Sequence, residues 1–160
     1  MKPTGSLIEQ LIRVKPETGE IFKITESGQT PLGSRTSNGY VKICLGKKFR
    51  PRAHHVVWMW AHGYWPKAEI DHINGNRDDN RIANLREATV TQNRTNRRIQ
   101  SNNKCGHKWV SSHQGKFRAE IRKNGRRIYS SSHDTPEEAH AAACLAAKSI
   151  HGDFFNSGGN

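Results

Sequence analysis

Acidic residues, cysteines and long apolar runs are all scarce in this chain, and each shortage excludes something. Its 160 residues hold 14 Asp and Glu against 26 Lys and Arg, a formal net charge of +12. So one-sided a balance points to a polyanionic partner, either nucleic acid or an anionic membrane, unless the chain is merely a basic soluble protein. No apolar stretch approaches the roughly 20 residues that cross a bilayer. Met1 to Arg13 lacks a long apolar core followed by a small-residue cleavage site. Membrane is therefore the weakest of these readings, and a cytoplasmic location is expected. Cys44, Cys105 and Cys144 are odd in number and far apart. They form neither the paired short spacings of a zinc ribbon nor a disulfide framework, so three reduced, buried or half-buried thiols are expected. At 33% hydrophobic residues the core is small, enough for one ordinary domain or two small ones. No heptad or long apolar stripe announces an interface, which makes a monomer the default and a dimer the alternative.

Periodicity gives an α+β chain. Ile12-Arg13-Val14-Lys15 and Ile21-Phe22-Lys23-Ile24 alternate around Pro16 to Gly19, which predicts a hairpin. Residues 27–38, rich in Gly, Ser, Thr and Pro, read as a surface loop. Tyr40 to Leu45 and Lys48 to Pro51 read as a second hairpin around Gly46-Lys47, ending at Pro51 because proline cannot donate to a ladder. Val56, Val57, Met59 and Trp60 give Ala53 to His62 one apolar side, a helix that Gly63 stops. Trp58, Trp60 and Trp65 read as core.

Residues 68–72 then predict a strand carrying Asp71 and His72, followed by a turn at Asn74-Gly75. A carboxylate holds a hard divalent cation through oxygen, and an imidazole with a pKa near neutrality takes a proton from water. A loop, a short strand at Asn84 to Ala88 and a helix from about Thr89 come next. Asp78 and Asp79 suit Asx turns or solvent better than a metal. The run from Asp71 through Asn84 to Asn93 and Asn96 resembles, in order and spacing, the HNH endonuclease family with its ββα-metal fold. The match is to the branch common in bacteriophage genomes and intron homing enzymes, where the third motif position is Asn. That resemblance implies Asp71 and Asn93 as ligands of one divalent ion, Mg²⁺ or Mn²⁺, with no structural zinc ribbon. It implies His72 as general base and Asn84 as a brace across the loop. Arg52-Ala53-His54-His55-Val56-Val57-Trp58 aligns His54 with a histidine of that branch and puts His55 where the branch has Arg. A catalytic role and a hydrogen-bonded packing role both suit His54.

Beyond the motif, Arg94, Arg97 and Arg98 lead into a polar stretch that suits phosphate contacts. Three strand-like runs come after it, Lys108 to Val110, Lys116 to Lys123 and Arg126 to Ser130, with turns at Gln114-Gly115 and Asn124-Gly125. Phe117, Ala119 and Ile121 share one face of the middle run, and Lys116, Arg118, Glu120 and Arg122 the other. Thr135-Pro136-Glu137-Glu138 is a helix start, and Ala139, Ala142, Ala143, Ala146 and Ile150 form a small-residue stripe that closes over the sheet. This segment, about 103–156, is similar to the plant ethylene-response-factor DNA-binding domain, whose sheet enters the major groove. The likeness implies Arg118, Arg122 and Arg127 as DNA contacts, with Lys108, Lys116 and Tyr129 as weaker ones.

The expected organisation is therefore a nuclease domain over 1–98 (ββα motif about 68–97), a linker over 99–104, a sheet-and-helix DNA-binding domain over 105–156, and a disordered tail over 157–160. The expected partner is double-stranded DNA, nicked in the cytoplasm, that of the host cell if the chain is phage-encoded. The competing readings are a non-catalytic, sequence-specific DNA-binding regulator with a decayed nuclease site, and an RNase or colicin-like toxin.

Overall fold

Residues 5–46, 49–97, 99 and 102–158 are described by the structure, a computed structural model. The chain is α+β and divides into two compact units, Met1–Ala88 and Thr89–Asn160. Among the described residues no helix is long and apolar enough to cross a membrane.

In the first unit a short helix, α1 (Gly5–Leu11), precedes an antiparallel sheet of β1 (Ile12–Lys15), β2 (Glu20–Thr25) and β3 (Gly28–Pro31). Alternation buries Ile12, Val14 and Ile21, and the register runs from Ile12 opposite Lys23 to Lys15 opposite Glu20. Residues 27–38 are thus not all loop: β3 pairs with β2, and β4 (Ser34–Arg35) pairs with β5 (Val41–Lys42). Both added strands are exposed and polar, which hides them from any hydrophobic pattern. The second hairpin is present as single bridges, Leu45 to Phe49 and Lys42 to Arg52, rather than a ladder. Helix α2 (Ala53–His62) buries Val56, Val57, Trp58 and Met59 and stops at Gly63, whose N–H bonds Met59 O. Strands β6 (Glu69–His72) and β7 (Leu85–Ala88) pair antiparallel, with a 3₁₀ turn at Ile82–Asn84 between them. One core cluster joins Ile8, Ile12, Ile43, Val56, Val57, Ile70 and Leu85, so β6 rests on the same apolar mass as the hairpin and α2.

The turn before β2 also touches the loop between β6 and β7. Ile82 N donates to Pro16 O at 2.8 Å. Gly19, at φ +75°, lies so near that a Cβ would sit 2.5 Å from Asn80 C.

In the second unit α3 (Val90–Thr95) is short and closed by a capping box, Thr89 with Gln92. Strands β8 (Val110–His113), β9 (Lys116–Lys123) and β10 (Arg126–His133) form an antiparallel sheet, order β10-β9-β8. Gln114-Gly115 and Asn124-Gly125 all have positive φ, as two-residue hairpin turns require. Helix α4 (Pro136–His151), capped by Thr135, buries Ala139, Ala143 and Ala147, and small residues let it sit close on the sheet. Residues 99–104 do not divide the two units, because α3 belongs with the C-terminal sheet and helix. Lys108 Nζ donates to Thr95 O and to Asn156 O, both at 2.7 Å. The Asn156 amide donates to Asn96 Oδ1 at 2.9 Å. Nor is the described tail loose: Gly158 is buried, its N–H bonded to Asn156 Oδ1. Gly159 and Asn160 lie outside the described residues.

Two expectations for the sheet are corrected. Lys108 is buried, 8% exposed, and is committed to two carbonyls, so it presents no charge to a partner. Tyr129 packs on the apolar cluster because a bulge intervenes: Arg127 pairs with Arg122, yet Tyr129 pairs with Ile121. One extra residue reverses the parity of everything after it. Ile128 is left exposed instead. Of the cysteines, Cys105 and Cys144 are half-buried as expected, whereas Cys44 is exposed; all three are free.

This packing generates two measurements. Gly19→Ala should destabilise the protein by about 2 kcal/mol or more, since it adds a backbone clash to the left-handed penalty. Gly63→Ala, at φ +76° with open space around it, should cost only about 1 kcal/mol. Urea midpoints of the two variants compare them, and equal losses would refute the close approach. Lys108 gives a pH dependence. Burial lowers its pKa from 10.5 to about 8, so between those values the unfolded chain keeps a proton that the folded chain has lost. Stability from this group therefore rises as pH climbs through that window. The neutral amine still has two N–H groups for its two carbonyls. Lys108→Met should remove the rise, read as the difference in urea midpoint between pH 8 and pH 10.

Candidate active site

Ile70 of β6 enters the core, and Asp71 and His72 after it are both only 4% exposed. A buried carboxylate is costly unless paired. Its partner is Arg86, directly opposite on β7, whose Nε and one terminal nitrogen reach Asp71 Oδ2 at 2.9 and 2.8 Å. Arg86 is a residue that sequence reasoning did not single out. The available signal was the register itself, since a short antiparallel pair centred on the loop sets Arg86 against Asp71.

His72 Nε2 lies 3.3 Å from Asn80 Oδ1. The Asn80 amide nitrogen donates to Asp78 O at 3.1 Å, which identifies the oxygen as the atom facing the ring. Nε2 is therefore the donor, and the lone pair of a neutral ring sits on Nδ1. Burial lowers the His72 pKa below its ordinary 6.5, against the opposing pull of the Asn80 bond and of the Asp71 and Asp79 charges. The ring is thus neutral near pH 7. Asn80, buried and without charge, gave no sequence signal beyond its turn-prone type.

His54, at 1% exposure, stands edge-on to His72 with ring centroids 4.9 Å apart. Burial first, then His55, His72 and Arg52, drive its pKa down to about 2, so it too is a neutral ring. Its Nδ1 has no hydrogen-bond partner among the described residues. Tyr40, from the turn before β5, is 5.4 Å from His54 and 6.0 Å from His72 between ring centroids.

The loop after His72 is closed by Asn84. Its Oδ1 accepts from Asn74 N at 3.0 Å, and its Nδ2 donates to Asn74 Oδ1 at 3.0 Å and to Asp79 O at 2.8 Å. Asp79 is held by Arg81 at 2.7 Å and accepts from Asn74 Nδ2. That Arg81 contact takes the Asp79 carboxyl down to about 2. Asp78 is exposed and faces Arg35 at 3.7 Å. Both carboxylates thus serve the turn and the surface.

The second unit holds the other expected site residues. Asn93 is half-buried on α3, while Arg94 and Arg97 are exposed; Arg98 lies outside the described residues. On the sheet, Lys116, Arg118, Glu120 and Arg122 share a face with Arg127, Ser130 and Ser132. Glu120 takes ion pairs from both Arg122 and Arg127, and Arg122 chiefly lowers its pKa. Lys116 pairs with exposed Asp134 at 3.0 Å. Arg118, flanked across the ladder by Ser111 and Ser132, is the central cation of this face.

Asp71 carries a carboxylate and Asn93 an amide oxygen, donor types that each suit a hard cation such as Mg²⁺ or Mn²⁺ better than zinc. Among the described residues there is no cluster of three or more His, Cys, Asp or Glu suited to a metal.

None of the curated proteins matches the chain. One solved structure, described as "DNA binding and cleavage by the HNH homing endonuclease I-HmuI", aligns at 30% identity with a TM-score of 0.45. The alignment covers 56% of this chain and 53% of that one, so this chain spans about half the length of that protein. Residues 52–95 match the family model described as HNH endonuclease, a segment that runs from the N-terminal end of α2 to the end of α3 and contains Asp71, His72, Asn84 and Asn93. Over that segment the chain is similar to HNH endonucleases.

Proposed function

We propose that the protein is an HNH-type endonuclease that hydrolyses phosphodiester bonds in duplex DNA with the help of one divalent ion. The observation that carries this reading is the buried Asp71-His72 pair, inside a segment that matches the HNH endonuclease model, with a neutral imidazole oriented by Asn80. Hydrolysis needs a base for water and a centre of positive charge for the phosphate. His72 is assigned as the base. Its Nδ1 takes the proton of an attacking water, while Nε2 stays bonded to Asn80. Asp71 and Asn93 are assigned to hold the ion, Mg²⁺ or Mn²⁺, which when bound would stabilise negative charge on the phosphate and the leaving oxygen. Asn84 keeps the loop closed so that His72 and Asp71 hold their places. His54, neutral and packed against His72, limits the tilt of that ring.

The products of such a reaction are a 5′-phosphate and a 3′-hydroxyl. The motif occurs once, so one chain nicks one strand, and the double-strand break would need two chains or two events. Arg94, Arg97 and Arg98, with the sheet face of Lys116, Arg118, Arg122 and Arg127, are proposed to hold the duplex. Arg118 is the foremost of these, because Glu120 already engages Arg122 and Arg127. On this reading the ethylene-response-factor-like segment is the DNA-reading part of the protein.

Supercoiled plasmid incubated with the protein and Mg²⁺ or Mn²⁺ should yield open circles, and none with EDTA. His72→Ala should lower the rate at least about 100-fold while gel-shift affinity for duplex DNA is kept. A salt-sensitive gel shift with no cleavage by the wild type would replace this reading with that of a DNA-binding regulator.

A further inference from the structure

A cleft of about 340 Å³ opens in the first unit, outside the Asp71-His72 pair, and among the described residues the cations Lys42, Arg50 and Arg52 line it. None of the described residues lining it is acidic, and Thr36 and Ser37 add hydroxyls. Lys42 comes from β5, Arg50 from the segment that returns alongside it, and Arg52 is the N-cap of α2. The 36–39 turn is closed by hydrogen bonds, with Thr36 N and Oγ1 both on Tyr40 O at 2.8 Å and Arg77 bonded to Asn38 O at 2.9 Å. No side chain caps α2, a ten-residue helix whose N-terminal partial positive charge therefore adds to the cations at Arg52.

Like charges around one cleft repel one another, and an anion seated among them relieves that repulsion. Arginine forks match the oxygens of a phosphate, while lysine adds a point charge. Base recognition is disfavoured, because the aromatic ring lining the cleft is already engaged. Arg52 lies 4.2 Å and Arg77 4.7 Å from the Tyr40 centroid. Tyr40 in turn is 6.0 Å from His72, so an anion in the cleft would be a near neighbour of the proposed scissile phosphate. We propose that this cleft is a backbone-phosphate subsite, seating a phosphodiester group adjacent to the bond that is cut, without reading base sequence. The inference rests on the nuclease reading and extends it: apart from Arg52, every lining residue lies upstream of the segment that matches the HNH endonuclease model.

The test uses the full chain, a labelled duplex from a plasmid region that the wild type nicks, and the double variant Lys42→Ala with Arg50→Ala. Arg52 is left in place because it packs on Tyr40 and begins α2. The slope of log affinity against log salt should shrink by about 2 in the double variant, since each lost phosphate contact removes close to one released counterion. Lys42→Arg with Arg50→Lys should keep the wild-type slope, which separates charge from damage to the fold. Methylphosphonates placed one at a time along the strand should weaken wild-type binding at one position beside the nick, and that position should no longer matter in the double variant. Unchanged slope and unchanged interference, in a wild type that nicks plasmid, would overturn the subsite and leave the nuclease reading standing. Inorganic phosphate bound in a Lys42- and Arg50-dependent manner, with the duplex slope unaltered, would mean a free-anion site and equally overturn it. A wild type that neither nicks nor binds duplex would overturn both.

Discussion

A buried carboxylate left unpaired would cost several kcal/mol, and a buried neutral imidazole without a hydrogen-bond partner would add a smaller cost. The first unit is arranged around meeting that cost. Arg86 meets Asp71 across a two-stranded ladder, and Asn80 meets His72 from the loop between the strands. Asn84 then fixes the loop that carries Asn80, and the β1–β2 turn backs the same loop through Pro16 and Gly19. Each layer satisfies polar groups that the next one in exposes. The chemistry proposed for the site depends on that nesting. A base must be neutral and oriented before it takes a proton, and burial together with Asn80 makes His72 both.

The second unit solves a different problem with less apolar material. Alanines on α4 close over one sheet face, which leaves the other face to carry charge. That charge is partly neutralised within the sheet, since Glu120 binds Arg122 and Arg127. Lys108, a DNA contact by the ethylene-response-factor likeness, is instead the buried tie between Thr95 and Asn156. Net charge read from composition therefore overstates what this sheet offers a polyanion.

The elements legible in the sequence were those with strong local signals. Alternation found β1, β2 and β9, the apolar side of residues 53–62 with its Gly63 stop found α2, the Thr135-Pro136 start found α4, and Asn124-Gly125 found its hairpin. The misses have physical causes. Strands β3 and β4 are exposed and polar, so pairing with a neighbour made them, and no hydrophobic period exists to see. The Tyr129 assignment failed at a single bulged residue, which inverts facing without changing composition. Asn80 and Arg86 escaped notice because their roles exist only once the loop is closed and the β6–β7 register is set. Lys42 and Arg50 fell within the runs read as a second hairpin, and only the fold sets them beside Arg52 and the 36–39 turn.

The central claim is that water, activated beside Asp71, breaks a phosphodiester bond. Nicking carried out in ¹⁸O-enriched water, followed by mass analysis of the new ends, tests it most directly. The account predicts one ¹⁸O in each new 5′-phosphate and an unlabelled 3′-hydroxyl opposite it. Label in a 3′-phosphate, or nicks whose 5′-phosphates carry no ¹⁸O, would contradict it.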